Sequence, residues 1–268
     1  MTGSSTASRL SLRFLALGYL TALLLAPVGM IFFKTFEHGL GPPIDAITSP
    51  DAIHALKLSL LTVAVAVPLN TVFGVGCALL LVRHRFRGNF LIDAIINLPF
   101  AVSPVVIGLS LYLLYGTDGW FGPTLAEAGI KILFSTPGII LACTFVSLPF
   151  VVREVVPVLQ EIGTEQEQAA STLGANAWQT FWRVTLPAIR WGVAYGIVLT
   201  TALVLGEFGA VTIVSGSISG QTETLPLYVA KQFEQFNLAG AYAASILLAL
   251  LALSTLLLMN LLKRKDGT

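Results

Sequence analysis

Residues 167 to 187, EQAASTLGANAWQTFWRVTLP, form a polar segment between two hydrophobic stretches that are each long enough to cross a bilayer. A segment placed this way gives a membrane protein a surface on which a soluble partner can act. Of the 268 residues, 55% are hydrophobic and only 11% are charged, about half the charged fraction of an ordinary soluble domain. The mean hydropathy is +0.84. These values predict a polytopic membrane protein.

Six stretches of the chain are predicted to span the membrane. A helix needs about 20 apolar residues to cross ~30 Å of hydrocarbon, because each residue adds ~1.5 Å. Five charge-free runs reach that length, and a sixth is interrupted only by Glu207. The predicted spans are residues 14–33, 58–82, 94–115, 132–152, 191–214 and 238–262.

The predicted fold is all-α, because the sequence lacks the alternating ten-residue strands of a membrane barrel. Six transmembrane helices occupy residues 14–262, and a polar segment lies between the fourth and the fifth. Residues 1–13 and 263–268 form tails. Eleven of the 15 basic residues lie on the side of the tails, and four lie on the other side. Since cytoplasmic loops are rich in Lys and Arg, we expect both tails and the polar segment to be cytoplasmic.

The polar segment contains its own helix signals. Thr164 followed by Glu167 predicts a capping box, so a short helix should begin near Glu165. Gly174 should end that helix in a left-handed conformation. We call residues 164–187 the elbow segment.

The second half of the elbow segment carries an aromatic face. A helix from about Ala177 would place Trp178, Phe181 and Trp182 on one side, before Pro187 introduces the next span. Such a face either rests in the lipid interface or docks onto a protein. Interfacial helices usually carry many lysines, and this segment does not, which favours docking.

The elbow segment resembles the last cytoplasmic loop of bacterial ABC importer permeases. That loop has the pattern Glu-Ala-Ala, three residues, Gly, nine residues, Ile, one residue, Leu-Pro. Here Gln168 replaces the glutamate, beside Glu167, and Val184 replaces the isoleucine. The resemblance implies a type I importer permease fold and a contact between the elbow segment and an ATPase. The candidate ATPase-coupling residues are Glu167, Gln168, Ala169, Ala170, Gly174, Trp178, Phe181, Trp182, Leu186 and Pro187.

Three further stretches narrow the resemblance. LPFAVSPVVIGL (98–109), GEFGAV (206–211) and SGSISGQTETLPL (215–227) are similar to the W-type subunit of sulfate/thiosulfate permeases, whose relatives are the T-type subunit and the molybdate permease. The resemblance implies a multi-pass subunit of the bacterial inner membrane that imports sulfate or thiosulfate by alternating access. It also implies a T-type permease as heterodimer partner, two ATP-binding subunits and a substrate-binding protein.

The sequence contains no motif for catalysis. It has no G-x-x-x-x-G-K-[ST] phosphate loop, no Ser/His/Asp set and no zinc-spaced ligands. We therefore expect a non-catalytic permease subunit without cofactor, metal or nucleic-acid partner, with ATP hydrolysed by a separate subunit.

The predicted substrate pathway depends on neutral groups. No lysine or arginine lies within a predicted span, so hydroxyls and backbone N–H groups would have to replace the hydration shell of an anion. Pro99 and Pro104 should break the third span near the bilayer midplane, with Ser103 between them. Thr200 and Thr201 offer hydroxyls in the fifth span, although threonines often bond to their own helix. The pathway candidates are Ser103, Pro104, Thr200 and Thr201.

Glu207 is the one carboxylate in a predicted span. It would repel an anion by several kcal/mol if it lined the route, so we expect it to be turned away, protonated or hydrogen-bonded to a neighbouring helix. Gly206 and Gly209, with Gly192 and Gly196 in G-x-x-x-G spacing, predict close helix packing in this region.

Two alternatives remain open from the sequence. The subunit would move molybdate or tungstate as a homodimer, or it would be a free-standing ion-coupled anion carrier. The second alternative favours internal repeats and intramembrane charges, which the sequence does not display.

Overall fold

The computed structural model describes residues 14–37, 39–84 and 87–266. The predicted tail 1–13, His38, residues 85–86 and the last two residues, 267–268, lie outside the described residues. Within the described ranges all regular structure is helical. The helices are α1 Phe14–Phe36, α2 Gly41–Thr48, α3 Pro50–Arg83, α4 Asn89–Ala101, α5 Pro104–Tyr115, α6 Gly122–Glu127, α7 Thr136–Ile162, α8 Glu165–Thr172, α9 Ala177–Gly206, α10 Gly209–Ser215, α11 Leu225–Glu234 and α12 Leu238–Asp266.

The predicted all-α membrane fold is confirmed. In the described ranges, α1, α3, α7, α9 and α12 are long and apolar enough to cross a membrane. Helices α4 and α5 together make a sixth, broken span, with a bend of 111° between them. Pro104 begins α5, whereas Pro99 lies inside α4. The midplane position predicted for Pro104 assumed a straight helix. Because the chain turns at this break, that calculation does not apply.

Several predicted spans have different ends in the structure; α3, for example, begins at Pro50 and not at residue 58. Helix α7 continues to Ile162, because Arg153 and Glu154 are compatible with a helix. The predicted end of the fourth span at residue 152 is therefore wrong, and the helix includes Arg153. The fifth span is wrong in its second half: α9 ends at Gly206, and Glu207 and the next residue separate it from α10.

Helix α7 lies at the centre of the bundle, between α3 and α9. A Cβ added at Gly74 of α3 would lie 2.6 Å from Val151 Cβ, and one added at Gly196 of α9 would lie 2.9 Å from Val151 Cα. A Cβ at Gly192 would lie 2.9 Å from the carbonyl oxygen of Glu154. The absence of these side chains lets both neighbouring helices approach α7 closely.

The helices that follow the two breaks, α5 and α10, pack on each other. A Cβ added at Gly209 would lie 3.0 Å from Pro104 Cβ, and one at Gly108 would lie 2.7 Å from the carbonyl oxygen of Ala210. Gly206 does not take part: no heavy atom lies within 4 Å of a Cβ built there. The residue lies at the exposed end of α9.

Candidate functional site

The elbow segment folds as two short helical pieces with a glycine between them. The predicted helix start at Glu165 and the stop at Gly174, whose φ is +87°, are confirmed. The capping box predicted at Thr164 is wrong. The Thr164 side chain caps no backbone N–H and instead accepts a hydrogen bond from Gln168 Nε2 at 3.1 Å. A capping box occurs at the start of α9, where Asn176 and Gln179 bond each other's backbone N–H groups.

Glu167 is committed to a contact inside the bundle, which is why it forms no capping box. Its carboxylate lies 3.0 Å from Arg83 Nε and accepts a hydrogen bond of 2.8 Å from the Thr185 hydroxyl. Arg83 also donates to the carbonyl oxygens of Leu159 and Gly163, at 3.1 and 2.7 Å. These bonds join the end of α3, the end of α7, α8 and the first turns of α9. The sequence analysis did not predict a role for Arg83 at the elbow segment. The only sequence signal for it is its position as a basic residue at the end of an apolar run.

An apolar surface of the elbow segment is exposed. The side chains of Trp178 and Leu173 are 70% and 88% exposed, and Trp182 is half-exposed. The rings of Trp178 and Trp182 are 5.5 Å apart, and Phe181 lies 5.4 Å from Trp182. Phe181 also packs against a buried cluster of α3, α7 and α9. Exposed apolar side chains grouped in this way mark an interaction surface, and Leu173 was not predicted to belong to it.

The other predicted coupling residues divide between surface and interior. Gln168, Ala169 and Pro187 are exposed, whereas Ala170 and Leu186 are half-buried. The glutamine at the family's glutamate position therefore faces outward, while the neighbouring carboxylate faces Arg83.

A second candidate region lies at the two helix breaks. A cavity of about 320 Å³ is lined by Ser103, Pro104 and Glu207, with apolar walls that include Phe100 and Phe150. The backbone breaks after α4 and after α9 therefore meet at one cavity. Non-helical backbone at membrane depth is tolerated where it borders such a cavity.

Of the three arrangements expected for Glu207, the structure shows a hydrogen bond to a neighbouring helix. Its side chain is buried and accepts a hydrogen bond of 2.9 Å from the backbone N–H of Ala210 in α10. The first N–H groups of a helix lack partners within the helix and favour a negative group. The carboxylate thus fixes the start of α10 while it lines the cavity.

The two threonines predicted for the pathway do not line this cavity. Thr201 donates to the carbonyl oxygen of Ile197 at 2.7 Å, so it bonds to its own helix. The hydroxyl of Thr200 is buried and has no hydrogen-bond partner among the described residues. The structure thus brings Ser103, Pro104 and Glu207 together and leaves both threonines apart.

At the end of the bundle opposite the elbow segment, the stretch 215–227 contains a buried carboxyl group. Glu223 is 1% exposed. Lys231 Nζ lies 3.5 Å from Glu223 Oε2 and 3.9 Å from Asp51 Oδ2. Burial raises the pKa of the Glu223 carboxyl above its usual range, although Lys231 opposes this effect.

Comparisons with known proteins agree with this architecture. Residues 70–265 match the family described as "Binding-protein-dependent transport system inner membrane component". The chain is 49% identical over 253 residues to a Synechocystis protein named "Sulfate transport system permease protein CysW", covering 94% of this chain and 92% of that protein. It is 37% identical over 249 residues to the Escherichia coli "Sulfate transport system permease protein CysT", with 93% and 90% covered.

A solved structure has the same fold. It is described as a bacterial alginate ABC transporter in complex with an alginate pentasaccharide-bound periplasmic protein. The TM-score is 0.79 at 19% identity, and the similarity covers 96% of this chain and 93% of the other.

Proposed function

This chain belongs to the family of binding-protein-dependent transport system inner membrane components, and from that membership we propose that it is the W-type permease subunit of an ATP-driven sulfate/thiosulfate importer. The extensive identity with a relative named as a sulfate permease carries the assignment of the substrate. As a permease subunit the chain is not an enzyme, and ATP hydrolysis belongs to a separate subunit.

The elbow segment supplies the contact with that ATPase. Trp178, Trp182 and Leu173 offer the exposed apolar surface, and exposed aromatic residues are frequent anchors of protein interfaces. The bonds between Glu167 and Arg83 attach this surface to the transmembrane helices. Closure of an ATPase pair would move the elbow segment and, with it, the inner ends of α3, α7 and α9. That movement would close one end of the transport route and open the other, as alternating access requires.

The route passes the cavity at the two helix breaks, where the hydrogen bond from the N–H of Ala210 offsets part of the charge of Glu207. Ser103 contributes a hydroxyl there, and Pro104 leaves the preceding backbone outside a regular helix. The exposed apolar side chains of α4 and α5 offer a surface on which a second permease can pack. The similarity to a T-type relative supports a heterodimer with such a subunit.

Further partners and the orientation follow from the same proposal. Two ATP-binding subunits would dock at the elbow segments, and a substrate-binding protein would deliver the anion at the opposite end. The basic residues of the sequence favour a multi-pass subunit of the bacterial inner membrane with both termini in the cytoplasm.

The test is reconstitution of the assembled importer. The chain is co-expressed with a T-type permease, an ATP-binding subunit and a sulfate-binding protein, purified through a tag on this chain and placed in liposomes. We expect uptake of radiolabelled sulfate that requires ATP and the binding protein, and inhibition by unlabelled thiosulfate. Uptake by this chain alone would instead identify an ion-coupled carrier. Preference for molybdate by a homodimer would identify a molybdate permease.

A further inference from the structure

Arg153 lies within α7, a helix that is long and apolar enough to cross a membrane. This helix has 27 residues and is therefore about 40 Å long, about 10 Å more than a hydrocarbon core. Arg153 precedes the end of the helix at Ile162 by nine residues, about 14 Å. If the whole excess length extended beyond the membrane at the elbow end, Arg153 would lie about 4 Å inside the elbow-side boundary of the hydrocarbon layer.

The guanidinium group of Arg153 is held against α4. Its Nε donates to Asn97 Oδ1 at 3.2 Å, and its Cζ lies 3.8 Å from the centre of the Phe100 ring. Asn97 in turn donates to Asp93 Oδ1 at 3.0 Å. The four N–H groups on the two Nη atoms have no hydrogen-bond partner among the described residues. The guanidinium is thus positioned but retains most of its donors.

The face that carries Arg153 is poorly suited to contact with lipid. The side chain is exposed in the single chain, and a charged arginine at membrane depth costs several kcal/mol unless it meets water, protein or a counter-ion. Beside it, a cavity of about 280 Å³ is lined by Arg153, Asn97 and Asp93. Phe100 borders the cavity that contains Ser103 and Glu207. Arg153, which lines the first cavity, thus contacts a residue in the wall of the second.

We propose that Arg153 binds the transported oxyanion on the elbow side of the helix breaks, an inference that rests on the proposed function. A guanidinium fork matches two oxygens of a tetrahedral dianion, and its charge offsets part of the lost hydration. Glu207, the carboxylate nearest the breaks, is bonded to α10. Asp93 lies one helical turn beyond Asn97 on the elbow side, where its charge would limit retention of the anion. The anion would be attracted by Arg153 and then repelled by Asp93. Such an arrangement suits a site that must release the anion as well as bind it.

The test compares three variants in the reconstituted importer. Arg153→Gln removes the charge, Arg153→Lys keeps the charge without the fork, and Arg87→Gln removes an exposed arginine from the connection between α3 and α4. We expect Arg153→Gln to lower sulfate uptake at least about tenfold and Arg153→Lys to lower it less, with ATP hydrolysis retained and Arg87→Gln near wild type. Wild-type uptake by Arg153→Gln would overturn the proposal. If the importer carries another oxyanion, the same variants are measured with that anion.

A thiol-labelling experiment decides the position of Arg153 independently of the substrate. Cys77 and Cys143 are replaced by alanine, and Arg153→Cys is compared with Val72→Cys, whose native side chain is apolar and 73% exposed on α3. A water-soluble anionic thiosulfonate should react with Cys at position 153 in the assembled complex much faster than at position 72. Equal protection at both positions would place residue 153 away from an aqueous route and overturn the proposal.

Discussion

The carboxylate of Glu167 lies 3.0 Å from Nε of Arg83, although the two residues are 84 positions apart in the chain. Both side chains are largely shielded from solvent. The pair connects α8 of the elbow segment with the end of α3, where Arg83 also holds the last carbonyl groups of α7. The position of the elbow segment therefore depends on the contacts that Arg83 of α3 makes with α8 and α7, and not on the local structure of α8 alone.

Removal of this pair should loosen the elbow segment. We expect Glu167→Gln and Arg83→Gln each to destabilise the protein by about 1–3 kcal/mol, because a shielded charged group then lacks its partner. The double variant should lose less than the sum of the two effects, since neither charge remains unpaired. Thermal unfolding of the purified complex measures the three values. Additive losses would show that the two residues act independently.

Trp178 should act at the ATPase interface without supporting the fold. We expect Trp178→Ala to leave the thermal unfolding midpoint unchanged and to weaken ATPase binding by about 30-fold, as loss of a central aromatic anchor does. Trp120 is a matched control, because its side chain is 84% exposed between α5 and α6, at the opposite end of the bundle. Co-purification of the ATPase with each variant gives the comparison. Equal retention of the ATPase by both variants would contradict the prediction.

Two helical glycines should respond oppositely to alanine. At Gly76 nothing lies within 4 Å of an added Cβ, so Gly76→Ala should stabilise α3 by about 0.5–1 kcal/mol. At Gly196 the Cβ would lie 2.9 Å from Val151 Cα, so Gly196→Ala should cost about 1–3 kcal/mol by pushing α7 and α9 apart. The unfolding midpoints of both variants in detergent test this difference in sign.

The buried carboxyl of Glu223 should make stability depend on pH. Because burial raises its pKa in the folded protein, the folded state binds the proton more tightly than the unfolded state does. Its contribution to stability therefore falls as the pH rises from about 4.5 through the folded-state pKa. Glu223→Gln removes this loss of stability. The unfolding temperature of the variant relative to that of the wild type should therefore increase as the pH rises. A difference that is constant over this range would contradict the prediction.

The sequence predicted the membrane class, the approximate positions of the spans and the helix–glycine–helix form of the elbow segment, because apolar runs and local turn signals determine them. It did not predict the partner of Glu167, since Arg83 reaches this residue only after α3 and α7 have packed. The capping box was predicted wrongly for the same reason: a tertiary ion pair competes with a local hydrogen bond.

The pathway was predicted only in part. Prolines identified the break before α5, but the break after Gly206 was missed, because the apolar residues on both sides of Glu207 looked like one continuous helix. Arg153 was assigned to a loop because a charge usually ends an apolar run. In the structure the helix continues for nine residues beyond it.

Helix α9 extends over 30 residues, from the exposed tryptophans to the break at Glu207. It touches α7 near its middle, where Gly196 meets Val151. When a rod held at such a point tilts, its two ends move in opposite directions. From Gly196 to Glu207 the distance is about 16 Å, so we expect a tilt of about 10° to displace the tip by about 3 Å, roughly the width of a water molecule.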